Sequence, residues 1–561
     1  MTQIVNVLFF FSPASFICGL IMSNLIWPFQ EELNMAFFIP NEIDFFGMSI
    51  LLNKSAFICT VTIFFWSFFL LSNIYQYLIN GRTEFIPKKN EGKNFSEDKR
   101  NAMYPKVPKK FLWKNPSDFT LGKFNNKYFA LPCNINDITH TLIIGSPGSG
   151  KSSTILNSLI FNFNFSKKYT VFCIDVKPEL SRKSILENRD DIKIFNPSIK
   201  NGWGWDVWYG FSSASSDDEI IERNDAIART IISNPSSGGG NNEFFYASAR
   251  NLLVAFLSYG FLMDMDFIES VLQIIHVPLQ DLISTIMCDE SFCNEHSKIS
   301  GMLIAYDSKT SDAIQDIEMT MRQELKIFEI DSVKYQLSEN KNKACPKDLI
   351  NDISIFVSLP DHLLKQYSTI FRLVIQQTIN YLSSIPDWKR SDDPDAKMIW
   401  MMIDEFGSIG SLNSISEALA RIRSRKVSIW LAVQSLSQLD SVYGNNITRS
   451  IVDNTENTLV FSCKDKQTAE MISAWCGQYQ ETKQSTSKKG NSDFAQQSYT
   501  KSKEHRNIMD VSDVMSLRKN NELLVFTEGE RYLIKKCPYF KIPLLLNKSN
   551  EIKQLNDKSY F

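Results

Sequence analysis

The pattern of apolar and polar residues divides the chain into an apolar N-terminal part and a longer mixed part. Val5–Trp27 contains no charged residue and is long enough to cross a bilayer as a helix. A second apolar stretch, Ala56–Leu71, follows closely. Together they predict an N-terminal transmembrane helical hairpin within residues 1–80, with one span plus a buried or interfacial helix as the alternative. A signal peptide is disfavoured, because residues 1–5 lack the Lys or Arg of a basic n-region.

Charged residues around these stretches predict their orientation. The connecting segment Pro28–Asn53 has four acidic residues and no Lys or Arg, whereas basic residues follow the second stretch from Arg82 onward. Because basic flanks stay on the cytoplasmic side, the N-terminus and everything after about Ile79 are predicted to be cytoplasmic. Residues 81–118 are polar and contain several prolines. They are predicted to be a linker, with lysines that are either solvated or close to anionic lipid headgroups.

Short, nearly continuous apolar runs in the remaining chain are typical of buried β-strands. They alternate with helical stretches, which predicts an α/β fold with a parallel-rich sheet covered on both faces. The runs are Thr141–Ile144, Tyr169–Asp175, Ile353–Leu359, Met398–Asp404, Val427–Val433, Asn457–Ser462 and Leu523–Thr527.

Two segments depart from this alternation. Helical periodicity dominates between Phe211 and Asn351, so residues 211–350 are predicted to be an all-α domain inserted between two parts of the α/β domain. Those parts are residues 119–210 and 351–545, and residues 546–561 are a predicted C-terminal tail. Thr482–Lys503 is rich in Ser, Gln and Lys and is predicted to be a disordered or flexible loop, either solvated or in contact with nucleic acid.

Composition narrows the function only a little. The 561-residue chain has a net charge of −2, so any basic surface for nucleic acid must be local or form on assembly. The ten cysteines are scattered without a C-x-x-C pair, which indicates a reducing compartment. The five histidines show no metal-ligand spacing, and no zinc site is predicted.

The most specific motif follows the apolar run Thr141–Ile144. Residues 145–152 match G-x-x-x-x-G-K-[ST], the phosphate-binding loop of nucleoside triphosphatases, although a Gly/Ser-rich turn is the alternative. Glycines let backbone N–H groups surround phosphates at a helix N-terminus. In such a loop Lys151 reaches the β and γ phosphates, and Ser152 binds Mg²⁺. The predicted ATP-binding residues are Gly145, Ser146, Pro147, Gly148, Ser149, Gly150, Lys151, Ser152 and Ser153.

Two acids and one amide complete the predicted catalytic site. Asp404 and Glu405 end the run Met398–Asp404. Asp404 would support Mg²⁺ through its water shell, and Glu405 would polarise the attacking water as a general base. Gln434 directly follows the run Val427–Val433. In a RecA-like arrangement it could sense the γ-phosphate, or it is a plain polar residue at a strand end.

A basic cluster precedes the same run. In a ring of subunits, an arginine can stabilise charge on the γ-phosphate bound by its neighbour. Arg423 is the preferred candidate, with Arg421 and Arg425 as alternatives. A solvated basic helix end is the other interpretation of this cluster.

Three segments add a family resemblance to these motifs. Together with the N-terminal hairpin and the phosphate-binding loop, they resemble the type IV secretion coupling proteins, the TraD/TraG-type conjugation ATPases. The resemblance extends from the hairpin to Cys537–Phe540, and it departs from the family at Pro178 and Tyr246, where Gly and Trp are common. The segments are IDVKPEL (Ile174–Leu180), IDEFGSI (Ile403–Ile409) and LAVQSLSQL (Leu431–Leu439).

The resemblance implies a RecA-like P-loop ATPase with an inserted all-α domain, anchored in the bacterial inner membrane by two helices, with most of the chain in the cytoplasm. It implies a homohexamer that uses ATP and Mg²⁺ to transfer DNA in conjugation. The implied partners are single-stranded DNA, a relaxase or relaxosome, and inner-membrane components of the secretion system. The family motifs match Lys151, Ser152, Asp404, Glu405 and Gln434, and they assign Asp175, Lys177 and Glu179 to shaping the nucleotide pocket.

Other functions remain open at this point. The cargo could be protein effectors, with the choice made by the helical insert. The protein could also be an assembly scaffold that binds ATP without driving transport, although a scaffold has no need of Glu405. A chromosome-partitioning pump of the FtsK type would usually have a larger membrane domain and a DNA-reading tail, and neither is evident.

Overall fold

The computed structural model describes residues 42–45, 48–51, 106–132, 138–186, 189–233, 241–307, 311–412, 414–489 and 496–559. Both predicted membrane spans, Val5–Trp27 and Ala56–Leu71, lie outside these residues. Among the described helices, none alone has the length and apolar character to cross a bilayer. The helices Phe267–His276 and Leu279–Met287 have that length and apolar character only together, as a pair bent by 119°.

Residues 1–102 and 103–561 form two compact units. The described part of the first unit is a two-stranded antiparallel hairpin of β1 (Glu42–Phe45) and β2 (Met48–Leu51). The described strands of the second unit, in chain order, are β3 (Leu112–Trp113), β4 (Thr120–Phe124), β5 (Lys127–Ala130), β6 (Thr141–Gly145), β7 (Tyr169–Val176), β8 (Ile192–Phe195), β9 (Gly204–Trp205), β10 (Lys343–Ala344), β11 (Ser354–Leu359), β12 (Met398–Ile403), β13 (Val427–Val433), β14 (Asn457–Ser462), β15 (Gln478–Lys489), β16 (Gln496–Asn507), β17 (Glu522–Thr527) and β18 (Glu530–Lys536).

Twelve of the described strands form one mixed sheet, in the order β3-β5-β4-β18-β17-β14-β6-β13-β12-β7-β11-β8. The strands from β14 to β8 run parallel, as the apolar runs predict. The strands from β17 to β3 are antiparallel. Leu523–Thr527, which has the composition of the parallel strands, therefore runs antiparallel. Continuous apolar sequence indicates burial on both faces and does not fix strand direction.

Alternate residues of the parallel strands pack into two separate cores. Leu142 and Ile144 lie in one core, whereas Ile143 lies in the other. The same alternation separates Met401 from Trp400. The sheet is therefore covered on both faces, and the predicted α/β class is confirmed.

Helices cover these two faces. The described α-helices are Lys151–Phe161, Glu179–Ser184, Asp217–Ile231, Asn241–Leu262, Phe267–His276, Leu279–Met287, Glu290–Glu295, Ser297–Asp307, Ser311–Leu325, Asp331–Lys334, Leu364–Ser384, Asp387–Ser391, Ile415–Arg421, Leu436–Asp453, Lys466–Trp475, Val511–Ser516 and Pro543–Ser559.

The region predicted as an inserted domain, residues 211–350, is helical through its described residues up to Glu339. The short strand β10 follows and pairs in parallel with β9. Apolar residues of the region, such as Leu252 and Leu325, share one core with the sheet residues Phe172 and Met401. The boundaries of a separate domain stay a prediction.

The prediction of a flexible loop at Thr482–Lys503 is wrong for its described residues. β15 and β16 pair in antiparallel register from Gln478↔Asn507 to Lys489↔Gln496. Low hydrophobicity suggests disorder from composition alone. A two-stranded ladder nevertheless satisfies backbone hydrogen bonds without apolar side chains.

Candidate functional site

The predicted site residues from four parallel strands meet at one edge of the sheet. Ile144 of β6 lies beside Val433 of β13, and Ile403 of β12 lies beside Ile174 of β7. Because parallel strands end at the same edge, the residues that follow them are neighbours. The phosphate-binding loop, Asp175, Asp404 and Gln434 are therefore brought together.

The phosphate-binding loop (residues 145–152) joins β6 to the helix Lys151–Phe161. Gly148 and Gly150 have φ of +68° and +101°, which glycine adopts without steric cost. The backbone N–H of Ser146 donates to the carbonyl oxygen of Ser462 at 3.1 Å, which fastens the loop to β14. Lys151 is buried, and its Nζ donates to the carbonyl oxygen of Gly145. Ser153 donates to the carbonyl oxygen of Gly150 at 3.0 Å.

This loop fits a polyphosphate. The Ser149 hydroxyl is buried and lacks a hydrogen-bond partner among the described residues. Burial lowers the pKa of Lys151, although the carboxylates of Glu405 and Asp404 oppose that shift. A phosphate would give the hydroxyl an acceptor and the ammonium a counter-charge, at a helix N-terminus that favours anions.

The acidic pair lies opposite this lysine. The backbone N–H of Asp404 donates to the carbonyl oxygen of Ile174 at 3.3 Å, which continues the strand pairing. Burial raises the pKa of Asp404 to about 7; the charge of Glu405 adds to the shift, and that of Lys151 opposes it. Glu405 itself has φ of +51° and ψ of +39°, in the left-handed region that non-glycine residues rarely occupy. This turn redirects the chain directly after the strand.

Gln434 contacts Glu405 of the acidic pair directly. Its Nε2 donates to Oε2 of Glu405 at 3.0 Å. Its backbone N–H donates to Oε1 of Gln438 at 3.1 Å, and Gln438 in turn donates to the Ser408 hydroxyl at 3.2 Å. The residues that follow β12 and β13 therefore hold Gln434 beside Glu405.

The three residues assigned to pocket shaping have separate contacts. Asp175 is buried and accepts backbone hydrogen bonds from Glu179, Leu180 and Ser181, at 3.2, 3.1 and 2.8 Å, at the start of the helix Glu179–Ser184. Lys177 forms an ion pair with Asp361 at 3.6 Å. Glu179 pairs with Lys183 within the helix. Asp175 therefore shapes the segment beside Asp404, whereas Glu179 bonds within its own helix.

The basic cluster lies at the opposite edge of the sheet. Arg423 and Arg421 are exposed and precede β13, whose far end leads to Gln434. The charge of Arg423 acts on His140, which directly precedes β6. Arg425 pairs with Asp387 at 2.8 Å. The structure therefore separates Arg423 from the phosphate-binding loop of its own chain.

A magnesium ion at this site would depend on the nucleotide. Among the described residues, no group of three or more His, Cys, Asp and Glu side chains could hold a metal ion. Ser152 and Asp404 supply only two protein ligands, and Mg²⁺ typically takes one or two such ligands together with phosphate oxygens and water. The residues present fit that kind of site.

Four residues that contact the site are absent from the predicted site residues. Lys536 donates to the carbonyl oxygen of Ser149 at 3.1 Å, and Arg518 donates to that of Pro147 at 3.4 Å. The carbonyl oxygen of Ser462 accepts from the backbone N–H of Ser146, and the side-chain oxygen of Gln438 accepts from that of Gln434. Gln438 belongs to the segment LAVQSLSQL and could have been chosen from it, whereas Lys536 and Arg518 lie in no motif.

The chain is similar in sequence to two proteins of type IV secretion and conjugal transfer. The type IV secretion system-coupling protein VirD4 of Bartonella quintana (strain Toulouse) is 26% identical over 176 residues, which is 31% of this chain and 27% of VirD4. The conjugal transfer protein TraG of Rhizobium radiobacter is 26% identical over 180 residues, which is 31% of this chain and 26% of TraG. The chain thus matches about a quarter of the length of these relatives.

Solved structures of the conjugative coupling protein TrwB share the fold. An unbound form of TrwB aligns with a TM-score of 0.56 and 16% identity, over 79% of this chain and 91% of TrwB. A complex of TrwB with ADP and Mg²⁺ aligns with a TM-score of 0.54 and 16% identity over the same shares. This likeness supports the predicted RecA-like α/β fold.

The family described as type IV secretory system conjugative DNA transfer matches residues 88–560. This match includes the phosphate-binding loop, the acidic pair, Gln434 and the helical region between them. The chain therefore belongs to the type IV secretory system conjugative DNA transfer family.

Proposed function

We propose that this protein is an ATPase that couples ATP hydrolysis to the transfer of single-stranded DNA and its bound relaxase through a type IV secretion system. One observation carries the hydrolytic part of the proposal. The Gln434 amide holds the Glu405 carboxylate at 3.0 Å, next to Asp404 and the buried Lys151. A nucleotide-binding scaffold without hydrolysis would not need a positioned base.

Each residue of the site has a role in this scheme. Lys151 balances the charge of the β and γ phosphates, while the N–H groups of the phosphate-binding loop bind their oxygens. Ser152 and Asp404 would hold Mg²⁺, which when bound would supply positive charge beside the phosphates. Glu405 orients water and accepts its proton, and Gln434 orients Glu405. The burial that raises the pKa of Asp404 also excludes water around Lys151 and Asp404.

The relatives support this choice of ligand and process. TrwB has been solved with a non-hydrolysable ATP analogue and with ADP and Mg²⁺. VirD4 is named a type IV secretion system-coupling protein, and TraG a conjugal transfer protein. We infer that ATP and Mg²⁺ are the cofactors here and that DNA is the cargo, bound mainly through its phosphates and by stacking on its bases.

The proposal includes a membrane-anchored homohexamer. Arg423 is exposed at the edge opposite the phosphate-binding loop, so it could serve only a neighbouring subunit in the ring. The spans within residues 1–80 would hold the ring in the bacterial inner membrane, with residues after about 79 in the cytoplasm. The helical region 211–350 would be an inserted domain that selects cargo, and inner-membrane secretion components would be the other partners.

ATP hydrolysis by the full-length chain in detergent, with and without single-stranded DNA, tests the proposal. We expect DNA to stimulate hydrolysis and Glu405→Gln to abolish the stimulated rate. A rate that is absent under all conditions would contradict the enzyme assignment. A rate that responds to a purified effector protein and ignores DNA would instead identify protein cargo.

A further inference from the structure

Two basic side chains from the antiparallel part of the chain hold the phosphate-binding loop by its carbonyl groups. Lys536, the last residue of β18, donates from Nζ to the carbonyl oxygens of Ser149 at 3.1 Å and Phe461 at 3.5 Å. Arg518 donates from Nη1 to the carbonyl oxygen of Pro147 at 3.4 Å. Neither Lys536 nor Arg518 belongs to a sequence motif of the nucleotide site.

These contacts fix the direction of two N–H groups. In a planar trans peptide, the carbonyl oxygen and the N–H of the next residue point in opposite directions. Because the carbonyl of Ser149 points to Lys536, the N–H of Gly150 points away from it. Likewise, the carbonyl of Pro147 points to Arg518, so the N–H of Gly148 points away from the guanidinium. The described residues include no cis peptide bond that would alter this relation.

The glycines make such fixing necessary. Gly148 and Gly150 have φ of +68° and +101°, and glycine passes readily between conformations that other residues avoid. A flip of either peptide would direct a carbonyl oxygen, with its partial negative charge, at the phosphates. A cation on the carbonyl disfavours the flip, because a charged donor forms a stronger hydrogen bond than a neutral one.

The position of Lys536 is set independently of any nucleotide. Its side chain is buried, with Nζ 6.0 Å from the centre of the Phe461 ring. The side-chain amide of Asn157 donates to the carbonyl oxygens of Cys537 and Thr120, each at 2.9 Å. Asn157 lies in the helix Lys151–Phe161, which directly follows the phosphate-binding loop. Its two hydrogen bonds therefore attach the end of β18 to that helix.

We propose that Lys536, assisted by Arg518, is a positioning residue that holds the phosphate-binding loop with the N–H groups of Gly150 and Gly148 directed at the nucleotide phosphates. The inference rests on the proposed nucleotide site. Lys536 does not touch the nucleotide in this scheme. It lowers the free energy needed to organise the loop before binding.

Binding of Mg·ADP to the full-length chain, measured by calorimetry at about pH 7, tests this. Lys536→Met should weaken the affinity roughly tenfold, since hydrogen bonds to charged groups are the strong ones. Lys536→Arg should retain most of the affinity. The matched control is Lys535→Met, which removes the same charge from the adjacent, exposed residue that pairs with Glu522. Thermal unfolding midpoints of all variants show whether the fold is intact.

A second measurement compares the pH dependence of Mg·ADP affinity in the wild-type chain and in Lys536→Arg. It stays informative if Lys536→Met does not fold. Burial lowers the pKa of Lys536 to about 8; Arg518 and Lys541 add to the shift, and Glu522 opposes it. The affinity of the wild-type chain should therefore fall between about pH 7 and 9 more than that of Lys536→Arg, which stays charged. The exposed variant Arg518→Gln should show a smaller loss of affinity than Lys536→Met.

Wild-type affinity in Lys536→Met, or equal pH profiles for wild type and Lys536→Arg, would overturn the positioning role while leaving the nucleotide site in place. A wild-type chain that binds no Mg·ADP would instead overturn the proposed function, and this inference with it.

Discussion

Gln434 and Glu405 are joined by a hydrogen bond of 3.0 Å between Nε2 and Oε2, across two neighbouring parallel strands. Glu405 has a left-handed backbone with φ of +51°. Such a conformation costs a non-glycine residue on the order of 1–3 kcal/mol and persists where the surroundings enforce it. The bond and the turn together aim one carboxylate, which is the arrangement that a general base requires.

The first prediction is that Glu405→Gln abolishes hydrolysis and leaves binding intact. The change removes the proton acceptor without changing the shape of the side chain. We expect kcat to fall at least about 100-fold, while the affinity for Mg·ADP stays close to that of the wild-type chain. Steady-state hydrolysis and calorimetry measure the two effects. If Glu405→Gln loses as much affinity for Mg·ADP as Lys151→Ala does, Glu405 holds the nucleotide instead.

A double variant tests whether Gln434 works through Glu405. Gln434→Met removes the 3.0 Å bond and should lower kcat roughly tenfold, since it leaves the base present but less well oriented. The combination with Glu405→Gln should be no slower than Glu405→Gln alone, because residues that act as a unit are not additive. A further loss in the double variant would give Gln434 a separate role at the γ-phosphate.

The second prediction concerns the stability of the nucleotide-free protein. Burial raises the pKa of Asp404 from the usual 3.8 of an aspartic acid to about 7. The native state thus binds a proton that the unfolded state releases, so the free energy of unfolding falls as the pH rises from about 4 to about 7. Asp404→Asn stays neutral, and we expect it to be more stable than wild type by a few kcal/mol at about pH 8, and similar to it at about pH 4.

Thermal or chemical unfolding in the absence of Mg²⁺ measures this difference. Asp395→Asn is the matched control, because Asp395 is exposed and precedes β12, at the end of that strand opposite Asp404. Its unfolding should follow the wild-type pH profile. If Asp404→Asn also follows the wild-type profile, the carboxyl is charged in the native state at neutral pH.

The sequence predicts this site well where it depends on parallel strands. The apolar runs that form β6, β7, β12 and β13 end at or directly before a predicted site residue, and parallel strands place their carboxyl ends at one edge. Asp404, Gln434 and the phosphate-binding loop could therefore be grouped before the strand order was known. The hydrogen bond between Gln434 and Glu405 could not, since it depends on the left-handed turn at Glu405.

The contacts that Lys536 and Arg518 make with the phosphate-binding loop could not be predicted from the sequence. Lys536 and Arg518 reach the loop only because β17 and β18 extend the sheet beside β14. The composition of Leu523–Thr527 indicates burial and gives no strand direction. The ladder of β15 and β16 was missed for a related reason, because its pairing depends on backbone hydrogen bonds that leave little trace in hydrophobicity.

The third prediction concerns acid sensitivity. His140 is buried, and its Nδ1 accepts the backbone N–H of Ile429 at 2.9 Å. Burial, with a smaller contribution from Arg423, lowers its pKa from 6.5 to about 3. The unfolded state therefore binds more protons between these values, so stability is full above about pH 6.5 and is lost as the pH falls. At about pH 5 the loss from this residue is about 2 kcal/mol.

Unfolding of His140→Asn tests this. Asparagine offers an acceptor and does not ionise, so the decline between about pH 7 and 5 should be smaller than in wild type by about 2 kcal/mol. His362→Asn, at an exposed position, should leave the decline unchanged. Identical declines in wild type and His140→Asn would show that His140 is protonated in the native state.

The last prediction uses the separation of Arg423 from the phosphate-binding loop. If Arg423 serves the neighbouring subunit, Arg423→Ala should lower kcat on the order of 10³-fold. Lys151→Ala should be inactive because its own loop fails. Mixing the two inactive proteins should restore activity, because a subunit with an intact loop can then lie beside one with an intact arginine.

Random mixing of equal amounts makes about a quarter of the sites complete, since each ring interface is head-to-tail and joins the loop of one subunit to the arginine of the next. Recovery should therefore approach that fraction of the wild-type rate, and should depend on subunit exchange. Arg421→Ala is the matched control, because Arg421 is also exposed in the same cluster, and it should keep most activity alone. If the mixtures remain as inactive as their components, Arg423 does not act in a neighbouring subunit. Its role is then to stabilise the structure around His140.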